Sequence, residues 1–347
     1  MKRMFKLILC LCLFLPVLSG CVNVRTKIAY TTYPVGYLIQ RLGGDTAESV
    51  SVQSDSTTLV QCAQISDSYA EILSDAAVFF HIGGLEPYLD VYSNEIKETK
   101  VEITDLSALN AVYSFKRYTP VIVNDEVTYV ESDYYKGDAF DNIDVTSKDL
   151  NLWMDPIAML SMAGDIRDWL IEHYPEREEV FNENYESLEN DLVNIDAQYQ
   201  KLSTDMFNNN QRIAFVSMTA SFGNWQKTYG IEVYPVVISK YGVLPDEEQL
   251  EIIKNRIISD NVKYIAYEPN MTSEMSVLFD ELQEELGLTR VDLSNLSSLS
   301  VSESRSGKDY LSIMYENLSV LQTMLEPRNV AAVSAADEPA EESDADE

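Results

Sequence analysis

The chain has 347 residues, with 57 acidic against 25 basic side chains, two histidines and a formal net charge of -32. That length suits two globular domains of ordinary size, and the charge excludes nucleic acid as a partner and a polybasic membrane anchor, because both need a basic footprint. Two histidines are too few for a site built from three imidazoles.

Residues 1–20 read as an export signal. Lys2, Arg3 and Lys6 form a positive start, and the apolar run from Leu7 to Leu18 is too short for a permanent membrane span. Leu18-Ser19-Gly20-Cys21 has the form of a bacterial lipobox, with cleavage before Cys21 and lipid on its sulfur. Cleavage also removes Cys10 and Cys12, leaving Cys21 and Cys62, so no disulfide framework holds the fold. A multiply acylated cysteine anchors a soluble domain without a transmembrane helix. Residues 21–27 are then a lipidated tether.

From residue 28 short β-rich runs alternate with helical stretches. Strands are expected over 28–34, 48–54 and 76–83, with helices over 35–44 and 66–76, the rhythm of parallel β-α units. Residues 107–150 carry no long periodic run. They are acidic and tyrosine-rich, and read as a surface excursion of the N-terminal lobe (28–175) with a hairpin around 121–130. Tyr129, Tyr134 and Tyr135 suit a recognition surface there.

A helix is expected over 156–174, with Asp155 as its cap and His173 answering its terminal carbonyls. Phe181, Tyr185, Leu188, Leu192, Ile195, Tyr199 and Leu202 then recur at spacings of four and three, which predicts one long helix over 176–207. Its single apolar seam reads as a spine between two domains rather than a coiled-coil dimer. The C-terminal lobe (208–326) repeats the β-α rhythm, with strands at 212–218, 231–238, 262–269 and 288–294. Its expected helices cover 222–230, 246–258, 273–287 and 309–325. The fold class is therefore α/β: two lobes, each around a mostly parallel sheet, joined by a long rigid helix. Such a body places its ligand crevice at the carboxyl ends of the strands. Residues 327–347 are small and acidic, and predict a disordered tail.

The ordered motifs TTYPVGYLIQRLGGD (31–45), GGLEPYLD (83–90), LNLWMDP (150–156), FVSMTASFGNWQKTYGIEV (215–233), YEPNMTSE (267–274) and GKDYLSIMYENLSVL (307–321) resemble the zinc- and manganese-type solute-binding lipoproteins of bacterial ABC importers. The resemblance spans residues 27–326. It implies a monomer that is tethered at the outer face of the cell membrane, delivers a divalent metal ion to an ABC permease, and has no catalytic residues. It also implies ligand positions, and these depart from the family pattern. The first histidine position falls near Thr58-Leu59, the second at Asn151 and the third at Thr219. The fourth, acidic in several members, falls at Asp292, Ser294 or Asn295.

Zinc favours imidazole, thiolate and carboxylate, and neutral amide or hydroxyl oxygens are weak substitutes. Glu268 is the best internal carboxylate, so the metal-ligand candidates are Glu268, Asp292, Asn151 and Thr219. With Trp153, Trp225, Tyr267, Ser294 and Asn295 they form an expected polar and aromatic crevice. The same scaffold could bind a small organic solute or a chelated metal, or serve as a surface accessory protein that has lost capture. Cys62 is a candidate soft donor near the first position. His81, at a strand end, reads as structural. An enzyme is discounted, because Ser217 and Ser221 have no histidine partner in sequence.

Overall fold

The computed structural model describes residues 26–54, 59–108, 110–124, 126–145 and 148–328. The predicted signal peptide, Cys21 and the chain beyond Arg328 lie outside these residues, as does Thr58. The first lobe runs β1 (Thr26–Tyr30), α1 (Tyr33–Gly43), β2 (Ala47–Ser51), α2 (Tyr69–Asp75), β3 (Val78–His81), α3 (Pro87–Glu98) and β4 (Glu102–Asp105). Its strands are all parallel, in the order β2-β1-β3-β4. The first strand ends earlier than its sequence suggests, because Pro34 sits in the first turn of α1, where its fixed φ and missing N–H favour a helix start. A parallel sheet buries both faces, and alternation along β1 sends Ile28 to one core cluster and Ala29 to another.

The excursion forms a hairpin, β5 (Arg117–Val123) and β6 (Glu126–Ser132), paired antiparallel. It packs on the second lobe, not on the lobe to which its place in the sequence assigned it. Tyr134 and Tyr135 are buried there, against the expectation of exposed recognition groups. The Tyr135 hydroxyl donates to the Pro235 carbonyl at 2.8 Å, and Gln226 Nε2 donates to the Tyr134 hydroxyl at 2.9 Å. Only Tyr129 of the three keeps an exposed ring.

Helix α4 (Pro156–His173) is capped by Asp155, whose Oδ1 accepts from the amides of Ile157 and Ala158. The spine is α5 (Glu178–Asn208), 31 residues and about 46 Å long. Phe181, Leu188, Leu192, Ile195, Tyr199 and Leu202 are buried along it, and Tyr185 is half-buried. This seam is covered within the chain. Ile28 and Leu38 of the first lobe, Leu192 and Tyr199 of the spine, and Phe215 and Tyr310 of the second lobe belong to one core.

The second lobe runs β7 (Gln211–Arg212), β8 (Ala214–Thr219), α6 (Gly223–Tyr229), β9 (Glu232–Val237), α7 (Glu247–Ser259), β10 (Tyr264–Tyr267), α8 (Ser273–Leu286), β11 (Thr289–Asp292), α9 (Val301–Arg305), α10 (Tyr310–Gln322) and β12 (Glu326–Pro327). Its main sheet is parallel, in the order β11-β10-β8-β9. Strand β12 pairs antiparallel with β7, and buried Arg212 holds Glu326 at 3.0 Å and Glu232 at 3.1 Å. Pro327, placed in the tail by composition, is therefore part of the fold.

Candidate functional site

The carboxyl ends of three neighbouring strands in the second lobe converge with the segment entering α4. Thr219 is the last residue of β8, Glu268 follows β10, and Asn295 lies in the turn after β11. Leu296 next to it holds φ at 58°, in the left-handed region that costs a non-glycine residue energy, so the turn presenting Asn295 is strained. Asn151 begins the short turn before α4.

Glu268 is fully buried, and its oxygens are engaged within its own lobe. Oε1 accepts the Thr219 amide at 2.8 Å; Oε2 accepts the Thr219 hydroxyl at 2.5 Å and the Asn295 side-chain amide at 2.8 Å. Burial pushes its pKa up to about 6, and the bonds from Thr219 and Asn295 oppose that rise. Ser221 Oγ lies 2.8 Å from Thr219 Oγ1, which extends the network toward the first lobe.

On the opposite wall Asp149 Oδ1 accepts both the backbone and side-chain amides of Asn151, at 3.1 and 3.0 Å. The Asn151 nitrogen is thereby pinned on a carboxylate, which fixes the orientation of the amide. Its Oδ1 faces the other way, buried and without a partner. Asp149 is itself buried, with Oδ2 unpartnered, and desolvation raises its pKa to about 6.

Gln61, from the loop before α2, reaches across to Ser221 Oγ at 3.4 Å and leaves its own Oε1 buried and unpartnered. Gln61, Asp149, Asn151, Ala220 and Ser239 line one interlobe cavity of about 30 Å³, with Lys148 and Lys240 at its wall. That Lys240 is paired with Asp90 of the first lobe at 3.1 Å and Asp144 at 3.6 Å.

Gln61, which the sequence reading did not single out, lines this cavity with Asn151; the first ligand position was expected near Thr58-Leu59, and Thr58 lies outside the described residues. Leu59 is instead fully buried in the second lobe's core. The Gln61 loop has no periodicity to fix its register, and a short helical turn over Val60–Cys62 is what aims it inward.

Other candidates do not reach the crevice. Asp292 is exposed and pairs with Arg290 at 2.8 Å, because strand alternation sends both outward. Ser294 is bound up in its turn, its amide donating to Asn317 Oδ1 at 2.9 Å. Tyr267 lies under the Arg290 guanidinium, 3.7 Å from its ring centre.

Trp153 and Trp225 are fully buried braces: their indoles donate to the Asn295 and Met154 carbonyls, at 2.8 and 2.9 Å. Cys62 has its thiol pKa raised by burial and by Glu274, the reverse of a ligating thiolate. His81 bonds the Gly83 carbonyl at 2.8 Å, and His173 bonds the Trp169 carbonyl at 2.9 Å, so neither serves the crevice.

Among the described residues no three His, Cys, Asp or Glu side chains gather where a metal ion could be held. What converges is oxygen-rich and mostly neutral, and does not fit tetrahedral zinc.

The family model described as zinc-uptake complex component A, periplasmic (ZnuA) matches residues 28–324. The zinc-binding lipoprotein AdcA of Streptococcus pneumoniae strain R6 is 26% identical over 330 residues, 93% of this chain and 61% of that protein. The zinc-binding protein AdcA of Streptococcus pyogenes serotype M3 is 29% identical over 178 residues, 50% of this chain and 32% of that protein. The chain thus spans between 32% and 61% of the length of these curated relatives.

Among solved structures, a mutant of the laminin-binding adhesin Lmb from Streptococcus agalactiae matches with a TM-score of 0.67 at 19% identity, covering 87% of this chain and 100% of that one. The Zn(II)-bound ZnuA-like domain of Streptococcus pneumoniae AdcA matches with 0.63 at 20% identity, covering 86% and 98%. At such identities these structures establish the two-lobed fold.

Proposed function

The chain belongs to the family of periplasmic zinc-uptake component A proteins, and from that premise we propose that it is the extracytoplasmic solute-binding receptor of an ABC importer for a divalent metal ion. The observation that carries this reading is the crevice: Asn151 Nδ2 lies 3.5 Å from the Ala220 carbonyl, next in sequence to the Thr219 that joins Glu268 and Asn295 at the strand ends of the second lobe. Crevices of this kind at strand carboxyl ends are where two-lobed α/β proteins bind ligands.

The receptor is held at the outer face of the membrane by lipid on Cys21, acts as a monomer and passes its cargo to a membrane permease. It performs no chemistry on that cargo. The relatives' names point to zinc; the donors of this chain do not reproduce a zinc shell, so the metal is set by the crevice's own oxygens. The test is the elemental content of cells lacking the chain. The expected result is a selective loss of one divalent metal, restored by the wild-type gene. Unchanged zinc, manganese and calcium contents would overturn the reading.

A further inference from the structure

We infer that residues 329–336, the uncharged stretch that follows β12, dock in the apolar groove between the β5–β6 hairpin and the end of α5. The groove has a volume of about 780 Å³, with Ile122, Val127 and Tyr129 on the hairpin side and Met206 and Phe207 on the spine side. Ile122 is 71% exposed and Phe207 55%, so the described residues leave this apolar face open to water. An apolar face of that kind marks a surface that something covers.

The path of the chain identifies the occupant. Strand β12 pairs antiparallel with β7, with Pro327 opposite Gln211, and the Arg328 amide donates to the Asn210 carbonyl at 2.9 Å. The chain is therefore running back toward the last turn of α5 at Arg328, and Arg328, Asn210 and Gln211 all line the groove. The next eight residues, 329–336, hold two valines and four alanines and no charge. Extended, they reach about 26–29 Å, long enough to cross the groove. Val330 and Val333 are the side chains that would fill it.

Charge favours a neutral occupant. The charged residues in the lining are Glu126 and Arg328, one of each sign. From Asp337 onward seven of eleven residues are acidic, and drying them against an apolar wall is costly. Docking therefore stops before Asp337. The other terminus does not reach. Thr26 bonds the Tyr174 hydroxyl beside the start of α5, and the groove lies at the far end of that helix, about 46 Å away. Residues 21–25 span at most about 18 Å.

The experiment compares four proteins by amide exchange and by binding of a dye that fluoresces on exposed apolar surface. They are the full chain, a chain ending at Ala336, a chain ending at Arg328, and the full chain carrying Val330→Asp and Val333→Asp. Ending the chain at Arg328 keeps every strand and helix described above, and the double variant keeps the full length. Far-UV circular dichroism should match in all four. In the last two, amides of 119–130 and 203–211 should exchange about tenfold faster, the worth of one buried valine, and dye fluorescence should rise. The chain ending at Ala336 should behave as the full chain does.

Exchange and dye binding unchanged by the loss of 329–347 would overturn the inference. So would an equal effect from removing 337–347 alone, which would place the contact in the acidic residues. Protection of the groove that fades on dilution would assign it to a second copy of the chain instead. An organic molecule retained in native mass spectra, whose release alone exposes the groove, would also overturn it.

Discussion

The side-chain amide of Asn295 donates to Glu268 Oε2 at 2.8 Å, joining the turn after β11 to the end of β10. With Thr219 supplying two further donors, a fully buried carboxylate is satisfied from one lobe alone. Asn295→Leu removes one donor and should cost about 1–3 kcal/mol, the range for depriving a buried charged acceptor. It should also raise the Glu268 pKa further above 6, since the Asn295 bond opposes burial. Urea melts give the stability change, and carbon-detected NMR titration of the glutamate carboxyls gives the pKa. A carboxyl that titrates as in wild type would contradict the network.

Much of the fold could be read from periodicity. The spacings from Phe181 to Leu202 describe α5 because each of those side chains must reach a core shared by both lobes. The crevice was legible only in part. The order of motifs points to Asn151 and Thr219, leaves Asp292, Ser294 and Asn295 open for one position, and Glu268 stands out as the internal carboxylate at a strand end. Gln61 and the outward turn of Asp292 depend on loop register and strand alternation, which one sequence without periodicity in those segments does not set. The allegiance of the excursion was hidden for a different reason. A tyrosine serves a wet surface or a core with equal chemical ease, and the partners of Tyr134 and Tyr135 lie about a hundred positions away.

That long-range docking can be tested directly. Tyr135→Phe leaves the Pro235 carbonyl without its donor and should cost about 1 kcal/mol. Tyr135→Ala also removes the ring that stacks on Phe140, and should cost about 3–5 kcal/mol. Amide exchange across Arg117–Ser132 should speed up more in the second variant than in the first. A hairpin whose protection is indifferent to Tyr135 would separate it from the second lobe.

Glu86 makes stability depend on pH near neutrality. It is fully buried, both its oxygens lack hydrogen-bond partners, and desolvation raises its pKa to about 7 from a model-peptide value of 4.5. The folded state therefore holds this proton over a pH range in which the unfolded chain has lost it. The stability contributed is fully present below about pH 4.5 and is lost as pH rises through about 7. The full swing corresponds to about 3 kcal/mol. Glu86→Gln mimics the protonated form, so its melting temperature should exceed that of wild type at pH 8 and approach it at pH 5. Parallel melting curves for the two proteins across that range would show that Glu86 is not the group responsible.

Gly223 sets how closely α6 approaches the crevice. A Cβ built there would collide with Asp149 Oδ2 and lie 3.4 Å from the Tyr134 hydroxyl. The carboxylate cannot swing away freely, because its other oxygen holds both amides of Asn151. Gly223→Ala must therefore either shift the start of α6 or release Asn151. The overpacking should cost about 1–3 kcal/mol. Release of Asn151 would free its amide to flip, turning a nitrogen donor toward the cavity where an acceptor now points. The variant is thus expected to shift the Asn151 side-chain amide resonances along with losing stability, while Ala at Gly287, where a Cβ meets nothing within 4 Å but φ is 62°, should lose stability alone. Measuring both variants by thermal melting and by NMR of the Asn151 side-chain amide separates strain from damage to the crevice. Asn151 amide resonances unchanged in Gly223→Ala would show that Asp149 does not govern the Asn151 amide.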